Sequence, residues 1–151
     1  MKTRTTKAVA ATALTALSLM LAGGAEAALV ERLFDANGNA QAIYDDVADL
    51  TWLQDANYAK TSGYDADGKM TWVQANAWAG SLNIGGVTGW RLPGGPMMNT
   101  PGTKSYNETA SEMGNLFYNV LGGTAGSSIT ATHNDDYNLF KNVQSSRGYY
   151  S

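Results

Sequence analysis

The side chains best suited to chemistry are acidic and lie in three clusters. In Asp65-Ala66-Asp67-Gly68, Asp65 and Asp67 alternate as carboxylates do in calcium loops. A hard cation takes carboxylate, carbonyl and amide oxygens, so the residue types fit. The EF-hand pattern does not, because its first acidic position falls on Gly63 and its bidentate last position on Gln74. A polar turn is the simpler expectation. His133-Asn134-Asp135-Asp136-Tyr137-Asn138 is the densest polar stretch. Asp135, Asp136 and Asn138 could supply oxygen ligands, and Tyr137 could stack on a sugar; a solvated loop is the simpler expectation. Asp45, Asp46 and Asp49 contain the carboxylates for a glycosidase pair, but sequence spacing does not give the separation that chemistry needs.

Other chemistries lack parts. His133 is the only imidazole and there is no cysteine, so zinc is not expected. No serine sits in a nucleophile elbow. The residues imply no catalytic constellation and no cofactor, with calcium the one ion worth testing.

A fourth stretch, Thr88-Gly89-Trp90-Arg91-Leu92-Pro93-Gly94-Gly95, sets Trp90, Arg91 and Leu92 among breakers. Trp90 and Leu92 are expected to enter the core. Arg91 is expected to bond carbonyls or a carboxylate, and Pro93 to fix the exit direction.

Several elements must position these residues. Leu29–Phe34 and Ala40–Tyr44 read as strands around Asp35-Ala36-Asn37-Gly38-Asn39, a strong turn signal. Leu50–Leu53 is a third extended stretch. Residues 71–82 read as a helix opened by a Thr71–Gln74 capping box. Val73, Ala77, Trp78 and Leu82 form its apolar stripe, and Gly85-Gly86 its stop. Residues 109–121 read as a second helix with Thr109 and Glu112 at capping-box spacing. Met113, Leu116, Phe117, Val120 and Leu121 form its stripe, and Gly122-Gly123 its stop. Gly114 there implies close approach of another element. A short strand is expected at Tyr137–Val143, and a long loop at Gly94–Glu108. Trp52, Trp72, Trp78 and Trp90 are expected as core anchors.

The chain start reads as an export signal. Lys2, Arg4 and Lys7 precede an apolar Ala8–Ala22 run and an Ala25-Glu26-Ala27 cleavage site. Cleavage after Ala27 of the 151 residues leaves 124, enough for one core. It takes the ten basic and thirteen acidic residues to seven and twelve, a net charge of −5. That balance argues against nucleic acid, whose phosphates need clustered Lys and Arg. No later segment is long and apolar enough for stable membrane insertion. The expected location is periplasm, cell surface or extracellular space.

The stretches LTWLQDANYA (50–59), MTWVQANAWAGSLNIGG (70–86), TGWRLP (88–93) and YNETASEMGNLFYNVLGG (106–123) resemble the Lcl C-terminal-domain family. That family is named for a collagen-like bacterial adhesin and was long described as a domain of unknown function. Many members are exported, some with a PEP-CTERM tag. The motif order also resembles the wider C-type-lectin-like group, including formylglycine-generating-enzyme-like domains. The resemblance implies an α+β fold with two helices packed on a twisted antiparallel sheet. It marks Trp72, Trp78, Trp90, Arg91, Leu92, Pro93 and Glu112 as structural motif positions. Formylglycine-generating activity needs cysteines and is not implied here. Gly94 stands where many relatives begin the second helix with threonine. Relatives also continue into further strands beyond a segment like Tyr149-Tyr150-Ser151, so the chain is expected to be truncated. The resulting expectation is a non-catalytic exported module that binds a glycan or other surface component or helps build the envelope. A glycosidase-like enzyme and a non-functional fragment are the alternatives. Polyanionic glycans, implied by some relatives, fit the −5 charge poorly.

Overall fold

Asp35 organises the first turn of the chain. Its Oδ1 accepts the N–H groups of Asn37 at 2.8 Å and Asn39 at 2.9 Å, while its own N–H reaches the Asn39 carbonyl at 2.9 Å. These bonds, the Asn39 N–H foremost, hold the Asp35 carboxyl below its usual range. Gly38 sits at φ 80°, which a side chain would resist. The turn joins β1 (Leu29–Arg32) to β2 (Ala42–Asp45), and β3 (Leu50–Leu53) follows. This computed structural model describes residues 28–95 and 106–144. The expected export signal at residues 1–27, Pro96 and Pro101 of the expected long loop, and Tyr149-Tyr150-Ser151 lie outside the described residues.

The protein is α+β. The sheet is antiparallel with order β1-β2-β3 and register Val30↔Tyr44 and Ile43↔Trp52. Central β2 is buried at Ala42, Ile43 and Asp45, as a strand paired on both sides should be. Asp45 caps the β2–β3 turn, its Oδ1 accepting from Val47 at 3.1 Å and Ala48 at 2.9 Å.

A helical turn, α1 (Tyr58–Thr61), leads to α2 (Trp72–Ser81). The capping box at Thr71 forms in full: Gln74 N–H donates to Thr71 Oγ1 at 3.3 Å, and Thr71 N–H to Gln74 Oε1 at 2.8 Å. The buried face is not the expected stripe. Ala75 and Ala79 are buried, whereas Val73 is 71% and Trp72 54% exposed. Small alanines allow close backbone approach, and Trp72 is therefore no core anchor. The end also differs. Leu82 is already extended, and Gly85-Gly86 form a separate turn with both φ angles positive. Ile84 and Val87 exchange N–H···O bonds of 3.0 and 2.9 Å across it.

The second helix is shorter and less regular than expected. Its cap is Ser111, not Thr109, with Gly114 N–H donating to Ser111 Oγ at 2.9 Å. α3 (Glu112–Asn115) then widens into a π-helical turn, Leu116–Val120, where Leu121 N–H reaches the Leu116 carbonyl at 2.9 Å. Leu116, Val120 and Leu121 make the core cluster, with Trp52, Met113, Ile129 and Phe140 packed on it. Close approach at Gly114 is real but local: a Cβ would collide with the Glu108 carbonyl.

The expected strand at Tyr137–Val143 is replaced by a 3-10 turn, Asp135–Leu139, and a single bridge. Lys141 N–H donates to the Gln54 carbonyl at 2.8 Å, and Ala56 N–H to the Lys141 carbonyl at 2.9 Å. Pairing stops there because Asn142, at φ 56°, turns the chain away. Among the described residues no helix is long and apolar enough to cross a membrane.

Candidate functional site

The loop 88–95 and the start of α3 are held by one ion pair. Arg91 Nη1 and Nη2 donate to Glu112 Oε2 and Oε1, each at 2.6 Å, in a bidentate fork. Arg91 Nη1 also reaches the Leu92 carbonyl at 3.0 Å. Gly94 N–H donates to Glu112 Oε2 at 2.5 Å, and Glu112 N–H to the Gly94 carbonyl at 2.9 Å. The Arg91 guanidinium, followed by the Gly94 N–H, holds the Glu112 carboxyl below its usual range; Glu112 in turn raises Arg91. Side chains 57% and 26% exposed place this clasp at the surface. Arg91 thus bonds a carboxylate and a carbonyl, as expected from its loop. Glu112 joins that clasp instead of a capping box with Thr109.

Trp90 and Leu92 do not fill the core. They are half-buried, and they line an open groove of about 930 Å³. Trp90 Nε1 donates to the Val87 carbonyl at 3.0 Å, which fixes the ring. Trp78 of α2, Leu82 just after it, Met113 of α3, Phe117 of the π turn and Trp52 of β3 also line the groove. Pro93 also borders the groove. Leu50, Thr51, Trp52 and Leu53 all touch it. β3 is the last strand of the sheet on that side among the described residues. Trp52 Nε1 is buried without a hydrogen-bond partner.

The acidic candidates fall elsewhere or into local work. Asp65 Oδ1 accepts the N–H groups of Asp67 at 3.0 Å, Gly68 at 2.7 Å and Lys69 at 3.1 Å, which makes the polar turn expected before α2. Asp67 pairs with Lys69 Nζ at 3.2 Å, and that contact lowers its pKa. The 133–138 cluster divides. Tyr137 borders the groove and stacks on His133 with centroids 4.1 Å apart. Asp135 and Asn138 are exposed, and neither they nor Asp136 line the groove. Among the described residues no three His, Cys, Asp or Glu side chains gather as a metal site. Asp46 and Asp49 bond the Ala28 N–H and the Tyr44 hydroxyl, each at 2.8 Å.

Sequence reasoning missed two organisers. Asp55 accepts from Asn57 N–H at 2.8 Å, Thr61 Oγ1 at 2.6 Å and Asn142 Nδ2 at 2.9 Å, joining α1 to the late chain. The Asp-Ala-Asn spacing was a readable Asx-turn signal; the Asn142 contact was not. Asn134 donates from Nδ2 to the Val120 carbonyl at 2.8 Å and caps the 3-10 turn through Oδ1. Comparison with family models, curated proteins and solved structures finds no match. The family resemblance rests on the quoted motifs alone.

Proposed function

We propose that this chain is an exported, non-catalytic binding module, C-type-lectin-like in fold, whose site is the aromatic groove between α2, β3 and α3. One observation carries the reading: Trp52, Trp78 and Trp90 line a single groove, together with Leu50, Thr51 and Leu53 of β3. Its volume, about 930 Å³, is in the range of ligand sites. Aromatic faces stack on the apolar faces of sugar rings. A glycan or other surface component is the ligand class, with neutral glycans favoured by the net charge of −5 after leader removal.

The test is a glycan array and a heparin column run on the leader-free chain. Array binding should weaken roughly five- to thirtyfold in Trp78→Ala and Trp90→Ala. A folded spectrum with no bound glycan sinks glycan recognition and leaves an envelope-building role. A glycosidase screen with Asp45, Asp46, Asp135 and Asp136 each changed to Asn tests the rival; activity lost in one variant would overturn the binding reading. Calcium titration giving neither heat nor a rise in Tm removes calcium from Asp65, Asp67 and the Asp135–Asn138 stretch.

A further inference from the structure

Ala28 is the residue that signal cleavage after Ala27 would make the N-terminus. It is exposed, and both of its backbone groups meet Asp46. Ala28 N–H donates to Asp46 Oδ1 at 2.8 Å, and Asp46 N–H donates to the Ala28 carbonyl at 3.4 Å. The β1–β2 register places Leu29 opposite Asp45, so Ala28 and Asp46 are the next pair outward. This is the free end of an edge strand, where fraying starts.

We propose that processing converts this pair into an ion-paired clamp on the new N-terminus. Hydrolysis breaks the Ala27–Ala28 peptide bond; water gives its hydroxyl to the Ala27 carbonyl carbon and a proton to the Ala28 nitrogen. The free amine, with an ordinary pKa near 8, takes a further proton from solvent at neutral pH. The amide N–H facing Asp46 Oδ1 thereby becomes an ammonium facing a carboxylate. A charge-assisted bond replaces a neutral-donor bond, and an ammonium carries donors an amide lacks. The outer strand is then held more firmly after the leader is gone than before. The clamp rests on the export reading of residues 1–27, and the test separates the two.

The exported protein is recovered and its N-terminal mass measured. It is then compared with the same protein acetylated at its α-amine, with Asp46 present or changed to Asn. The expected start is Ala28. Acetylation should lower Tm by roughly 1–4 °C at low salt, and by less at high salt. Asp46→Asn should lower Tm similarly, and acetylation should then add nothing. A start at any other residue overturns the processing step. A start at Ala28 with Tm unmoved by acetylation overturns the clamp and leaves export standing. An acetylation effect of equal size in Asp46→Asn also overturns it, because the partner would not be Asp46. Acetylation needs no substitution, so the test survives if the variant fails to fold.

Discussion

The two main helices carry the same capping-box spacing, but only one of them forms the box. Thr71 and Gln74 complete their capping box, and α2 runs regularly from Trp72 to Ser81. Thr109 and Glu112 have the same spacing, but Arg91 and Gly94 hold Glu112, and Ser111 becomes the cap. Spacing makes a capping box available; a competing partner of greater strength decides whether it forms. A bidentate guanidinium–carboxylate fork outweighs one bond to a backbone N–H. The displaced start is accompanied by a tight Glu108–Gly114 contact and a π turn, neither of which α2 has.

That contrast is sharpest at the glycines. Gly114→Ala should destabilise by about 2–4 kcal/mol in chemical denaturation, because its Cβ would collide with the Glu108 carbonyl. A loss under 1 kcal/mol would mean the second helix relaxes freely. Breaking the clasp comes next. Glu112→Gln should cost about 1 kcal/mol, and Arg91→Lys somewhat less, since Lys lacks the planar fork. The pH dependence has a definite sign. Glu112 is depressed below its ordinary 4.5, so its stabilisation is present above that value and disappears as pH falls through the folded-state pKa. Glu112→Gln should therefore flatten the acid limb of the Tm–pH curve. An equally steep limb would assign it to the other depressed carboxylates, Asp35, Asp67 and Glu108. In α2, Thr71→Ala should cost about 1 kcal/mol by removing the cap. The smallest effect has the opposite sign: Gly80→Ala meets nothing within 4 Å and should stabilise α2 by about 0.5–1 kcal/mol.

Features written into neighbouring residues were legible. The Asp35–Asn39 turn and the Thr71 cap depend on partners within a few positions, and both formed; the three strands, each joined to the next by a short turn, formed as well, β3 with the expected bounds and β1 and β2 with ends shifted by a residue or two. Features decided by distant partners were not. Lys141 meets Asp55 across the fold, and nothing in Tyr137–Val143 says its pairing is limited to one bridge. The buried face of α2 was misread because alanines and large apolar residues occur on both sides of it. Only packing selected Ala75 and Ala79. The groove escaped for a related reason. Periodicity for Trp78 and Phe117, and residue type for Leu92, show that they seek apolar neighbours, but whether they fill a space or border one depends on everything around it together. The Arg91–carboxylate bond was expected in kind, since a guanidinium in a breaker-rich loop needs acceptors; Glu112 as its partner required the fold.

The π turn at Leu116–Val120 has a consequence for chain length. Closing each ring one residue later than an α-helix does, it carries a residue that a regular turn would not need. Deleting one residue there would let the segment rewind as an ordinary helix with the chain after it in nearly the same place. Rewinding at full length would instead swing everything downstream by about 100° and advance it by about 1.5 Å. Asn134 would lose the Val120 carbonyl, Tyr137 would leave the groove, and Lys141 would no longer meet Gln54 and Ala56. The turn thus takes up one extra residue, and the phase of the chain after Val120 depends on it.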